Sequence, residues 1–219
     1  MEGSVKIKRT FMRDEAYDIL QNWIIAGKLE PGALLRDQDL SDLLGISRTP
    51  IREALLRLER DGLVVTKPNR STTVTQVHFE EAANIYLLVE TLESLAMDQA
   101  FPNITDDVIR EMEELNEQFI DQLHTGDKVA AFQIDSEFHQ KIIDLSNNPE
   151  LVKLLANLKI KVQRMEIYYF SLADNGEKSI HEHKVIIDSL KKKCKKSAKE
   201  AIQSNWRNSL SRMMDRNLE

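Results

Sequence analysis

Two short helical patterns separated by three residues, Gly45-Ile46-Ser47, constrain this chain more than any other feature of it. The first, Asp37-Gln38-Asp39-Leu40-Ser41-Asp42-Leu43-Leu44, runs straight into Gly45, a residue suited to the left-handed conformation that ends helices. The second, Arg48–Arg60, begins after Ser47, a capping residue, and keeps Pro50 within its first turn, where the missing N–H costs nothing. With so little chain between them the two helices must turn sharply across each other, which is the helix-turn-helix arrangement. In the second helix Ile51, Ala54, Leu55 and Leu58 recur at three-to-four spacing and form a burial stripe, so Arg48, Thr49, Arg52 and Arg57 point elsewhere.

The flanking patterns complete a small domain. Phe11–Ala26 reads as an amphipathic helix, with Thr10 as its N-cap and Gly27 just past its end. Pro31-Gly32 marks a turn, and Leu34-Leu35-Arg36 is a brief extended piece. Leu63–Thr66 and Ser71–Thr75 are β-branched runs around a polar tip, Lys67-Pro68-Asn69-Arg70, which predicts a hairpin, the wing. From Phe79 onward strand signals stop, and five or six long helical patterns follow, broken near residues 101–103, 125–126, 147–149, 173–176 and 195–197. The expected fold is therefore mainly α: a winged helix-turn-helix domain over 1–77 and an antiparallel all-α bundle over 78–219, divided near Gln76–His78.

Charge and cysteine content narrow the setting. The net charge of −6 looks wrong for a nucleic-acid binder, yet residues 1–75 are close to charge-balanced and the acid lies in the remainder. Within 47–70 the basic residues Arg48, Arg52, Arg57, Arg60, Lys67 and Arg70 outnumber the acids, a local face suited to phosphate. No apolar run approaches the length of a bilayer span, no secretory leader pattern opens the sequence, and Cys194 is alone, so a cytoplasmic protein is expected. The run Lys191-Lys192-Lys193-Cys194-Lys195-Lys196 reads as a solvated helix end whose cations favour the helix dipole, rather than as a second nucleic-acid patch.

A recognition helix enters the major groove N-terminus first, presenting its cap residue, first-turn side chains and free amides to phosphates and base edges. Ser47, Arg48, Thr49 and Arg52 have the chemistry for that. The block Leu40–Leu55, followed by Leu58-Glu59-Arg60-Asp61-Gly62-Leu63-Val64, closely resembles the GntR family of bacterial transcription regulators, in a likeness that covers about residues 10–75. The resemblance implies double-stranded operator DNA as partner, contacts from Arg48, Thr49 and Arg52, a backbone contact from Ser47, and a wing tip, Asn69 and Arg70, in the minor groove. Gln38 stands where relatives often carry Arg, and Ser71 where they carry Gly.

In the C-terminal half, Asp135 and His139 lie four residues apart on one helical pattern and so share a face, and His183 lies on a later one. Imidazole plus carboxylate suits Zn, Ni, Mn or Fe better than Ca. Asp135-Ser136-Glu137-Phe138-His139 together with Glu182-His183-Lys184-Val185-Ile186 is similar to the all-helical FCD effector domain of the FadR-type branch, over about residues 79–215. That resemblance implies a divalent metal held by Asp135, His139, His183 and a residue of the last helix, here Asn205 where relatives have His, and a small organic acid as effector. It leaves Arg164 as the candidate effector-binding cation, since Val89 replaces an Arg common in relatives. His78, His124 and His181 are expected in solvent, and Trp206, Met213 and Met214 in packing. The expected protein is a homodimeric, ligand-responsive repressor and not an enzyme. The alternative, a metal-dependent enzyme acting on small organic acids, lacks a nucleophile beside a base, a metalloprotease signature and a phosphate loop.

Overall fold

The computed structural model describes residues 9–67, 71–169 and 172–216. Contacts divide the chain into two compact units that meet in sequence at Val77 and His78.

The N-terminal unit holds α1 (Arg9–Ile25), β1 (Leu34–Leu35), α2 (Asp37–Leu44), α3 (Arg48–Arg60), β2 (Val64–Thr66) and β3 (Thr72–Val74). Helix α1 starts at Arg9, so Thr10 lies inside the helix and is not its cap. A capping residue marks a helix start only to within a residue or two. Asp37 and Asp39 occupy the first turn of α2, where negative charge meets the positive end of the helix, and Gly45 ends the helix at φ 67°. Ser47 takes the extended backbone of an N-cap, at φ −68° and ψ 160°, although its side chain makes no capping hydrogen bond. The buried stripe of α3 is Ile51, Ala54, Leu55 and Leu58, and it packs on α1. A polar clasp secures that packing: the Arg57 guanidinium sits 3.7 Å from the centre of the Tyr17 ring, whose hydroxyl donates to Asp61 at 2.6 Å.

The three strands form one antiparallel sheet in the order β1-β3-β2. Thr66 faces Thr72, and Lys67 N–H donates to the Ser71 carbonyl at 2.9 Å, closing the hairpin expected of a wing. Asn69 and Arg70 lie outside the described residues.

Among the described residues the C-terminal unit has six helices: α4 (Ala82–Ala100), α5 (Asp106–Thr125), α6 (Lys128–Leu145), α7 (Pro149–Tyr169), α8 (Leu172–Lys191) and α9 (Lys195–Arg216). Local chemistry sets their ends. Gly126 turns left-handed after α5, Asp127 Oδ1 accepts from the amides of Val129 and Ala130 to open α6, and Asn148 Oδ1 accepts from Leu151 N–H just before Pro149 starts α7. Helix α4 packs against α6, α7 and α9, while α5 packs against α6 and α8.

The break expected at 173–176 is not there, because α8 already runs from Leu172. Gly176 is a packing residue and not a breaker: a Cβ at that position would stand 2.6 Å from the Leu123 side chain of α5. The last break also falls earlier than 195–197, at Lys193, which takes a left-handed φ of 51°.

Candidate functional site

Helix α6 carries Asp135 and His139 on one face, and α8 brings His183 to them. One ligand atom from each of the three lies within 4.8 Å of the others. His139 and His183 are buried, and the Asp135 side chain is 20% exposed. Both rings have their orientation fixed from outside the cluster. His139 Nδ1 is 2.6 Å from Glu93 Oε2 of α4, and His183 Nδ1 is 3.1 Å from Asn116 Oδ1 of α5. A carboxylate and an amide oxygen can only accept, so each Nδ1 is the donor and Nε2 is the nitrogen each ring leaves to other partners. The Nε2 of His183 is buried with no hydrogen-bond partner, 3.2 Å from Asp135 Oδ1 but off the line of a hydrogen bond.

Charge points the same way. Glu93 is buried, which works against its ionisation, but His139, Lys159 and the Trp206 Nε1–H at 2.9 Å overcome burial and hold its pKa down to about 2. Asp135 is likewise penalised by burial and nevertheless held down to about 2 by His183, His139 and Lys159. Burial depresses the His183 imidazolium, so that ring is neutral near pH 7. Two carboxylates held ionised beside two ring nitrogens gather the donor set of a cation site in one place. Lys159 Nζ stands 3.5 Å from Glu93 Oε1, close enough to attract but not hydrogen-bonded to it.

Asp135 and His139 line a cavity of about 50 Å³ that Trp206, Asn205, Glu166 and Arg212 also line, with Phe119, Phe132 and Ile167 among its apolar walls. That volume holds an ion with a few waters or a small ligand group. Asn205 Nδ2 donates to Glu182 Oε2 at 3.0 Å. Arg212 grips the same carboxylate through Nη1 at 2.6 Å and Nη2 at 3.0 Å, and its Nε is buried without a hydrogen-bond partner. Arg164, the cation expected to meet an effector, is buried but is not among the residues lining this cavity, whereas Arg212 is.

Several members of the site were invisible in the sequence. Glu93, Asn116, Lys159, Glu166 and Arg212 sit on four different helices, α4, α5, α7 and α9, and none belongs to a spaced motif. Trp206, expected in packing alone, donates to Glu93 inside the site. His78, His124 and His181 are exposed and stand outside the cluster, as expected. Of the lysine run between α8 and α9, Lys191 pairs with Glu113, Lys195 with Asp98 and Lys196 with Glu200.

In the N-terminal unit Ser47, Arg48, Thr49 and Arg52 are all exposed at the start of α3. Asp37 of α2 accepts from both arginines. Gln38, beside it, donates to Asp42 at 2.9 Å within its own helix.

The family described as bacterial regulatory proteins, gntR family, matches residues 12–74, and the FCD domain family matches residues 84–208. The chain belongs to the GntR family, in its FCD-domain branch. The HTH-type transcriptional regulator McbR of Escherichia coli (strain K12) is 28% identical over 211 residues, which is 94% of this chain and 96% of that protein. YdhC of Bacillus subtilis (strain 168), also named an HTH-type transcriptional regulator, is 26% identical over 191 residues, or 87% of this chain and 85% of its own length. The solved structure of E. coli McbR/YncC superposes with a TM-score of 0.82 at 25% identity, over 93% of this chain and 97% of that one. The chain is thus a DNA-binding transcription regulator, and its families and relatives are regulators rather than enzymes.

Glu166 supplies a pH test of the cavity. Burial first, then the Asp135 charge, raises its pKa from 4.5 to about 7, despite hydrogen bonds from the Tyr86 hydroxyl at 2.9 Å and the Ser209 hydroxyl at 3.0 Å. Between these two values the unfolded chain releases a proton that the folded chain keeps, so this group lowers stability as pH rises through that window and adds no further change above it. Glu166→Gln is expected to remove this decline and to unfold at pH 8 with a free energy higher than the parent's by on the order of 2 kcal/mol. Denaturant titrations from pH 5 to 8 check it, and parallel profiles for the two proteins would refute the raised acid.

Proposed function

We propose that this chain is a homodimeric, ligand-responsive repressor of the cytoplasm, whose C-terminal unit, residues 78–219, senses a small carboxylate at a divalent ion held by Asp135, His139 and His183. The observation that carries the reading is the inward Nε2 of His183, buried and without a hydrogen bond, beside an ionised Asp135 and a second ring whose Nδ1 is already occupied. Outer-shell acceptors that fix the tautomer of each ring are a recurring support of metal-binding histidines. Two imidazole nitrogens and a carboxylate oxygen suit Zn, Ni, Mn or Fe. Asn205 turns its amide nitrogen to Glu182, so three strong donors carry the ion, and positions stay open for a ligand. Arg212, with its unpaired Nε on the cavity wall, is the cation that meets an anionic effector, a role the sequence had offered to Arg164.

In the N-terminal unit, residues 1–77, operator DNA meets Ser47, Arg48, Thr49 and Arg52 at the exposed start of α3, and the family resemblance adds Asn69 and Arg70. Leucines exposed on one helix support the dimer: Leu87, Leu88 and Leu95 of α4 are 59%, 52% and 42% exposed and recur along one stripe. Two copies on one duplex turn an effector-driven change in half-site spacing into a change in affinity.

Three measurements test this reading. Arg52→Ala is expected to weaken binding to an operator duplex at least tenfold in a gel-shift titration, the scale of one lost base contact, whereas unchanged affinity removes Arg52 from the contact set. After chelation, addition of Zn, Ni or Mn is expected to raise the thermal midpoint of the parent chain by several degrees and to leave His183→Ala unmoved. A parent chain that takes up none of these ions sinks the metal reading. Sedimentation at micromolar concentration is expected to give twice the chain mass, with Leu88→Glu shifting it toward the monomer, and a monomeric parent contradicts the dimer.

A further inference from the structure

At the mouth of the helix-turn-helix, one carboxylate oxygen serves two arginines. Asp37 Oδ2 accepts from Arg52 Nε at 2.6 Å, and from Arg48 Nη2 at 2.9 Å and Nε at 3.3 Å. The three residues come from the first turns of α2 and α3, and the short turn between those helices brings them together. An acid is costly here if the face serves only to attract phosphate, because it repels the DNA backbone and offsets half the charge of the pair it holds. Its benefit has to be geometric. Two guanidiniums this close repel each other and, without an anion between them, swing apart on flexible stems.

Both grips leave the same edge open. Arg52 is held by Nε alone and Arg48 along its Nε–Nη2 side, so each guanidinium keeps its outer Nη1–Nη2 edge, with two parallel N–H groups, for other partners. That edge matches the O6 and N7 acceptors of guanine in the major groove. Hydrogen bonding from Arg48 first, and from Arg52, keeps the Asp37 carboxyl below its usual range, so the clamp stays charged at neutral pH.

We propose that Asp37 is a positioning residue for DNA reading, holding Arg48 and Arg52 so that their free Nη1–Nη2 edges are presented together to the duplex. This rests on the assignment of the α3 first turn to DNA, and the test separates the two. A duplex selected from a random library by the parent chain, and a scrambled duplex of equal length, are titrated across a range of salt concentrations. Asp37→Asn is expected to weaken the selected duplex and to leave the scrambled one equal or tighter, so that their affinity ratio falls about tenfold, the scale of one bidentate base contact. Asp37→Glu, which keeps the charge, is expected to restore most of that ratio.

Thermal unfolding of each variant separates positioning from support of α2. Equal losses on both duplexes for Asp37→Asn, or a lower melting point that Asp37→Glu does not repair, overturn the proposal. If Arg52→Ala changes neither duplex, the DNA assignment itself fails. If it collapses the ratio while Asp37→Asn preserves it, only the clamp fails.

Discussion

The C-terminal unit is organised around a carboxylate buried from solvent, that of Glu93. Burying an ionised acid costs several kcal/mol even after a protein relaxes around it, and the cost is recovered only where donors converge with good geometry. Glu93 of α4 meets that condition through His139 of α6, Trp206 of α9 and the nearby ammonium of Lys159 from α7. Four helices are therefore tied to one charge. Removing any one donor would leave the carboxylate less compensated. The hub also explains why this interior is polar where a simple bundle would place leucine: α4 buries Glu90, Glu93 and Ser94 among its apolar residues.

From that hub the chemistry of the cavity follows in steps. Glu93 fixes the proton of His139 on Nδ1, Asn116 does the same for His183, and the two Nε2 atoms are left to face Asp135. Burial keeps His183 neutral and so able to donate its lone pair. Arg212, which lines the same space of about 50 Å³, is bound to Glu182 and so brings a cation to the cavity without stranding it unpaired.

How much of this could be read from the sequence depended on whether the signal was local. Gly45, Ser47 and Pro50 placed α2 and α3 to the residue, because helix caps act within a few positions of the chain. Asp135 and His139 were legible for the same reason, since a spacing of four puts two side chains on one helix face. Glu93, Lys159 and Arg212 were not, because each reaches the site through the packing of a separate helix, and an isolated charged residue on an amphipathic pattern looks like surface. Gly176 misled in the opposite direction. A glycine reads as a helix stop, but its use here is to let α8 approach Leu123, a tertiary reason with no local trace.

Asp37 and Glu93 do the same thing in different surroundings. Each is a carboxylate that orients a nitrogen-bearing side chain so that its remaining donor or lone pair faces a ligand. At the exposed mouth of α3 such an ion pair is worth about 0.2–1 kcal/mol, since water competes for both partners and salt screens them. It can order Arg48 and Arg52 and still yield as they engage DNA, which a stronger clamp would prevent. Inside the helical bundle the same pairing is shielded from water, and losing a partner would strand a buried charge at a cost of about 3–5 kcal/mol. His139 is therefore held in one orientation, whereas Arg48 and Arg52 stay adjustable. Solvent exposure alone separates the two pairings, one open to water and salt and the other closed to both.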